Sequence, residues 1–416
     1  MRAAKILTVV MAATLAAAST STTSLAFHAG GVAECEGCHS MHAPDPAGEH
    51  LLVGDTTSAT CLVCHGASGA GSYHIATPPT DLGPGSAPYN ITPGGDFGWL
   101  EKTYIFVVDG AAVTEDGNSH GHDINAGAFA AWGIITNNAT SPGGTYAQSD
   151  LGCPSCHDPH GTYRRTSAGT IVQTGFPIKG SGSYPGPEND PTTTEAVGVY
   201  RLLAGSGYET GALTYSGVPA AKVPLSYNRS ESTTQTRVAY GVATTGGHIS
   251  WGDWCATCHG AMHSEGGSNY VHAVDESLGS IGGSGGLYGL YVKSGDMTGG
   301  FATSFLSLVP FATNSSDYTG VLAPLAVNDD TQLGGPEATD QVTCLSCHRA
   351  HASGFRYMLR FGYDYAFMTM ESQYAFNSAV GRGRIESEME IAYGGRPATR
   401  WATYQRVLCN KCHAKD

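Results

Sequence analysis

Twelve cysteines in this chain fall into six copies of one pattern, Cys-x-x-Cys-His, which uses all of them. The copies are Cys35/Cys38/His39, Cys61/Cys64/His65, Cys153/Cys156/His157, Cys255/Cys258/His259, Cys344/Cys347/His348 and Cys409/Cys412/His413. Two thiols at this spacing can each add to a vinyl group on one edge of a porphyrin, and the adjacent imidazole is then placed to bind the central iron. Zinc sites want four ligands, usually from two Cys-x-x-Cys pairs. Neither zinc nor a disulfide framework gives a reason for a histidine directly after every second cysteine. The pattern therefore points to six covalently attached haem c groups, with His39, His65, His157, His259, His348 and His413 as the first axial ligands.

The remaining histidines decide what such irons could do. Six of the seventeen histidines belong to motifs, which leaves His28, His42, His50, His74, His120, His122, His160, His248, His263, His272 and His351. That is enough to close every iron with a second imidazole. A bis-His haem carries an electron but has no open position for substrate, and an axial imidazole favours a lower potential than methionine would. No variant motif such as Cys-x-x-Cys-Lys marks a catalytic haem. His42, His160, His263 and His351 follow a motif at short range, so they are the strongest distal candidates. His28, His74, His122 and His272 are weaker on spacing alone, and His50, His120 and His248 read as solvent-exposed or structural.

The elements that must hold these groups are sparse. Arg2 and Lys5, the apolar run Ile6 to Ala18 and the small-x-small site Ser24-Leu25-Ala26 resemble an export signal over residues 1–26. The run is short for a membrane anchor, so the mature chain is expected to start at Phe27. No later stretch suits a membrane span. Loss of the two basic residues of the leader takes the formal charge from −14 to −16, which disfavours nucleic acid as a partner. Charged residues make up 13% of the chain and 57 residues are glycine, so side chains alone look poorly equipped to build a core. Haem surface is expected to supply it, with an unfolded apo-chain. The motif histidines are separated by 26, 92, 102, 89 and 65 residues, which excludes a strict tandem repeat. Lys102 to Val108 predicts a strand, and Asp109-Gly110 a hairpin turn. Ala126 to Ile135 and Gly286 to Lys293 predict short helices, and Trp401 to His413 a helix entering the last motif. Residues 166 to 247 predict a long irregular wrap. The fold class expected is mostly coil, with a few short α-helices and minimal β, as one haem-packed domain over 27–416.

The stretches FHAGGVAECEGCHSMH, TPGGDFGW, CPSCHDPHGTYRR, CLSCHRAHASGF and LCNKCHAKD, spread from Phe27 to Asp416, resemble the OmcS-type hexahaem outer-surface c-type cytochromes of metal-reducing bacteria. The resemblance implies six bis-His haems in a continuous stacked chain, in a fold that is largely coil. It also implies subunits joined head to tail into an extracellular filament. That filament takes electrons from other cytochromes, after export through the periplasm, and passes them to acceptors such as Fe(III) oxides. His42 matches the family histidine that ligates the fifth-motif haem of the neighbouring subunit. His28, His74, His122, His160, His263, His272 and His351 also fall in matching stretches, eight candidates in all for six places. The segment between Ser40 and Thr60 is shorter than in the family, and His50, His120 and His248 have no counterpart there. The competing readings are a multihaem oxidoreductase and a monomeric periplasmic electron shuttle.

Overall fold

A computed structural model describes residues 35–40, 51–66, 74–126, 138–184, 186, 189–224, 235–243, 249–263, 273–281, 286–300, 303–328, 334–375 and 383–413. The expected signal over 1–26, most of the helix expected at 126–135, and His28, His42, His50, His248 and His272 lie outside the described residues.

Regular structure is short, and much of it serves the cysteine motifs. Helix α1 (Cys35–Cys38) is one turn made of the first motif itself. Helix α2 (Thr57–His65) starts where Thr56 accepts a hydrogen bond from the Ala59 amide at 3.0 Å, and it ends on the second motif's histidine. The expected hairpin is present. Strand β1 (Tyr104–Val108) pairs antiparallel with β2 (Ala111–Glu115), and Asp109 and Gly110 both adopt positive φ at the turn. Two left-handed residues in a two-residue loop match the right-handed twist of the strands.

The segment expected to be one long irregular wrap instead contains a small sheet. Strands β3 (Arg164–Arg165), β4 (Ile171–Val172), β5 (Ile178–Ser181) and β6 (Ala196–Gly198) stand in the order β4-β3-β6-β5. Strands two to four residues long carry too few alternating positions for periodicity to announce them. Helix α3 (Trp251–His263) contains the fourth motif, and α4 (Gly286–Leu290) occupies the first part of the segment expected to be helical. Helix α5 (Cys344–Cys347) is the fifth motif, and α6 (Glu386–Ala392) follows it. The helix expected over Trp401 to His413 is absent. Only a 3-10 turn, Leu408–Lys411, remains there, because the Lys411 ammonium turns inward to donate to the Tyr291 carbonyl at 2.6 Å.

Side chains build more core than the composition suggests. One cluster gathers Phe97, Trp99, Tyr104, Phe106, Phe355, Phe361, Met389 and Tyr393 with other buried apolar residues, and a second gathers Tyr163, Tyr200, Val223, Tyr240 and Trp251. Tyrosine does much of this work, since a ring buries a large area while its hydroxyl can reach a backbone partner. Tyr215, for example, donates to the Ser155 carbonyl at 2.9 Å and Tyr288 to the Val309 carbonyl at 2.6 Å. No helix among the described residues is long and apolar enough to cross a membrane.

Candidate haem-binding sites

The six motifs form an unbroken succession in space, in sequence order. Cys38, raised by burial, also feels the thiols of Cys61 and Cys64. Cys61 is raised and Cys153 lowered chiefly by each other, so the second motif lies beside the third. Burial pushes Cys156 up to about 12, and Cys258 of the fourth motif adds to it. Cys255 is raised and Cys344 of the fifth motif lowered chiefly by each other. Burial also pushes Cys347 up to about 12, helped by Cys412 and Cys409 of the sixth. Haem attachment converts these sulfurs to thioethers that no longer titrate, so what the contacts record is adjacency of attachment points. Packing holds the joints closed. Ser58 on α2 accepts from the Cys153 amide at 3.0 Å. Ser155 and Ser346, each one residue before the second cysteine of its motif, accept from the amides of Gly152 at 2.9 Å and Thr343 at 3.0 Å.

Motifs one, three and five share a backbone module. The amides of Ser40, Asp158 and Arg349, each following a motif histidine, donate to the carbonyls of Leu51, Leu202 and Met358. The amides of Val53, Ala204 and Arg360 donate back to the carbonyls of Cys38, Cys156 and Cys347. His39, His157 and His348 are thereby bridged to Leu52, Leu203 and Leu359. The module needs left-handed backbone. Leu51, Arg201, Leu202, Tyr357 and Met358 all have φ between 51° and 60°, a costly choice for such side chains. What it achieves is visible at the third and fifth motifs. His157 Nδ1 lies 2.9 Å from the Arg201 carbonyl, and His348 Nδ1 lies 2.7 Å from that of Tyr357. A carbonyl accepts only from N–H, so Nδ1 carries the proton and Nε2 keeps its lone pair for a metal. The signal was in the sequence as Leu51-Leu52, Leu202-Leu203 and Met358-Leu359, at unequal distances of 13, 46 and 11 residues beyond the motif histidines, and spacing alone hid it.

Three pairs of histidines face one another at a telling distance. A metal–imidazole bond is about 2 Å and the ring centroid lies roughly 1.1 Å behind its nitrogen, so two imidazoles trans on one ion have centroids roughly 6.3 Å apart. His39 and His160 stand 6.4 Å apart with rings 5° from parallel. His157 and His351 are 6.3 Å apart, and His122 and His259 are 6.0 Å apart. His122 and His259 also commit Nδ1 to carbonyls, of Ala350 and Pro142, at 2.8 Å each. His122 and His351 are set by one zipper. His122 N donates to the His351 carbonyl at 2.9 Å, and His351 N donates to the Gly94 carbonyl at 2.7 Å. Gly95, at φ 89°, lies against the Ala352 carbonyl where no Cβ would fit, which is what the Gly-Gly of TPGGDFGW supplies. Burial holds His351 down to about 3 and His122 down to about 4, with His157 and His259 respectively adding to it. Both are therefore neutral, the form a metal ligand requires.

No family model matches the chain. It is 48% identical over 420 residues to the C-type cytochrome OmcS of Geobacter sulfurreducens, covering 94% of each. This chain belongs to the OmcS family of c-type cytochromes. Two solved structures agree. The Outer Membrane Cytochrome S Filament from Geobacter sulfurreducens gives a TM-score of 0.81 at 46% identity, covering 94% of this chain and 100% of that one. The OmcS nanowires of the same organism, solved by cryo-EM, give 0.80 at the same identity and coverage.

OmcS-type proteins are electron-transfer proteins with covalent haem c, and the residues here fit that group. Paired thiols sit beside His157, His259 and His348, whose Nδ1 protons are held by backbone carbonyls. Not every expected ligand has this geometry. His74 lies beside the second motif's own histidine, since the Ile75 amide donates to the His65 carbonyl at 2.9 Å. His263 directs Nε2 at Asp275 Oδ2, 2.8 Å away. His413 is exposed at the end of the described chain. His120, expected to be structural or exposed, is buried with both ring nitrogens engaged, by Glu115 at 2.7 Å and the Trp99 carbonyl at 3.0 Å. The distal candidates His28, His42 and His272 lie outside the described residues.

Proposed function

We propose that this protein is an exported hexahaem electron conduit whose subunits polymerise head to tail into an extracellular filament. In this reading residues 27–416 form one domain and all six irons are bis-His. The observation that carries it is a step rule in the histidine pairs. The histidine three residues after the third motif's ligand, His160, faces the first motif's His39. The one three residues after the fifth motif's ligand, His351, faces the third motif's His157. Each reaches back two motifs. His42 occupies the same position after the first motif, and two motifs back from there lies outside its own chain. The fifth motif, in turn, has no motif two steps ahead of it. A copy placed end to end supplies both, with His42 on the fifth-motif iron of the neighbour. A head-to-tail contact that does not close on itself makes an open helix, and the solved relatives are filaments.

When bound, haem supplies a one-electron Fe(III)/Fe(II) couple. The chain's part is to fix its ligands. Carbonyls of Arg201, Tyr357, Pro142 and Ala350 hold Nδ1–H of their histidines, which fixes ring orientation and strengthens Nε2 as a donor. Burial keeps His122 and His351 neutral. Adjacent sulfurs bring successive attachment points together, so an electron meets no gap in the series. Donors would be other cytochromes and acceptors extracellular oxidants such as Fe(III) oxides. His42→Ala tests the reading. It is expected to abolish filaments in electron micrographs while mass spectrometry still finds six haems per chain. Intact filaments in that variant would refute the step rule at the interface.

A further inference from the structure

A cluster of donor atoms outside the haem series spans the two ends of α3. His263 Nε2 lies 2.8 Å from Asp275 Oδ2 and 3.8 Å from Asp253 Oδ1, and one donor atom from each residue falls within 4.8 Å of the others. Ser250 braces both carboxylates. Its amide donates to Asp253 Oδ2 at 2.9 Å, and its hydroxyl lies 2.5 Å from Asp275 Oδ2 and 3.0 Å from Asp253 Oδ2. That occupies one oxygen of each acid. The second oxygen of Asp275, Oδ1, is buried with no hydrogen-bond partner, an expensive arrangement for a carboxylate. The floor of the cluster is Gly252, where a Cβ would collide with Asp275 Oδ2 and come within 2.8 Å of His263 Cδ2. Glycine keeps this hollow open.

We propose that Asp253, His263 and Asp275 bind one first-row divalent transition cation between the fourth and fifth haem motifs. One imidazole and two carboxylates form a mixed nitrogen and oxygen set suited to Zn(II), Mn(II) or Fe(II). Asp253, with 39% of its side chain exposed, offers the ion Oδ1, the oxygen that Ser250 does not hold. Binding needs the Nε2 lone pair, so the imidazole proton moves to Nδ1. The ion neutralises two acids beside Cys255 and Cys344, whose thiols both feel Asp275. Loss of that negative charge disfavours Fe(III) relative to Fe(II) in the adjacent haems, so their potentials rise.

Zinc, which is redox-inert, is the probe, used on the haem-loaded protein. One zinc per chain is expected by equilibrium dialysis and metal analysis, with affinity falling at least about tenfold in Asp275→Asn and in Gly252→Ala. Equal zinc retention in wild type and both variants would overturn the site. X-ray absorption at the zinc edge of the wild type gives an answer that depends on no variant. A shell of one nitrogen with oxygens supports the assignment, and a shell with several nitrogens or sulfur overturns it. His263→Ala is expected to lose zinc and keep a fully low-spin spectrum. A high-spin haem in that variant would make His263 an iron ligand and end the proposal.

Discussion

At the residue scale, the strongest demands fall on backbone conformation rather than on side-chain chemistry. Tyr357 sits at φ 60° and is 59% exposed, so its ring buries little while its carbonyl holds the His348 Nδ1 proton. Tyr357→Gly should therefore keep the fold at little cost, because glycine enters the left-handed region freely. Tyr357→Val should lose about 1–2 kcal/mol, since a β-branched residue is penalised there. Urea unfolding of the two haem-loaded variants checks this, and equal stability would contradict the clamp. The sequence made the cysteines and motif histidines legible because covalent attachment needs fixed spacing. It left the carbonyl partners illegible because a carbonyl belongs to every residue, and only the fold decides which one meets an imidazole. His120 shows the same limit. Nothing around it in sequence reveals that Glu115 and the Trp99 carbonyl take up both of its nitrogens.

At the scale of elements, a buried ion-pair network ties the β1–β2 hairpin to the C-terminal segment. Glu115 at the end of β2 accepts from Arg384 at 2.5 Å and pairs with His120, while the Arg356 amide donates to it at 3.0 Å. Burial alone would raise the Glu115 carboxyl, but Arg384 and His120 outweigh it and hold it at about 2, against an ordinary 4.5. A depressed carboxylate stabilises fully above its unfolded value, so this contribution is present above about pH 4.5 and lost as pH falls towards 2. The linkage is worth about 3 kcal/mol. Denaturant midpoints at pH 5.5 and pH 3 should fall apart in wild type and converge in a Glu115→Gln, Arg384→Met double variant; an unchanged gap would show that other acids carry the effect. The hairpin itself was legible, since YIFVV alternates and Asp-Gly is a strong turn signal. The approach to the last motif is illegible because Lys411 has the look of a surface residue in a helical run, whereas its burial against Tyr288 and Tyr291 is a tertiary fact. The four-stranded sheet at 164–198 is illegible in the sequence because its strands are too short to carry a period.

At the scale of the whole molecule, the proposed filament would make the chain a short stretch of a longer series. Its six motifs follow one another in space, and the odd-numbered ones repeat a module and a two-step histidine pairing that no motif spacing reveals. If every iron in the assembled protein is closed by two imidazoles, carbon monoxide should bind the dithionite-reduced filament at well under one molecule per chain, as read in the Soret band. Stoichiometric binding would favour the oxidoreductase reading. The proposed series is tested most directly by a cryo-EM map of the native assembly that resolves both axial ligands of each iron. The expected map has His160 on the His39 iron, His351 on the His157 iron and His122 on the His259 iron, with His42 of the next subunit on the His348 iron. A map in which His42 binds within its own chain, or any of these irons carries water instead of a second imidazole, would contradict the account.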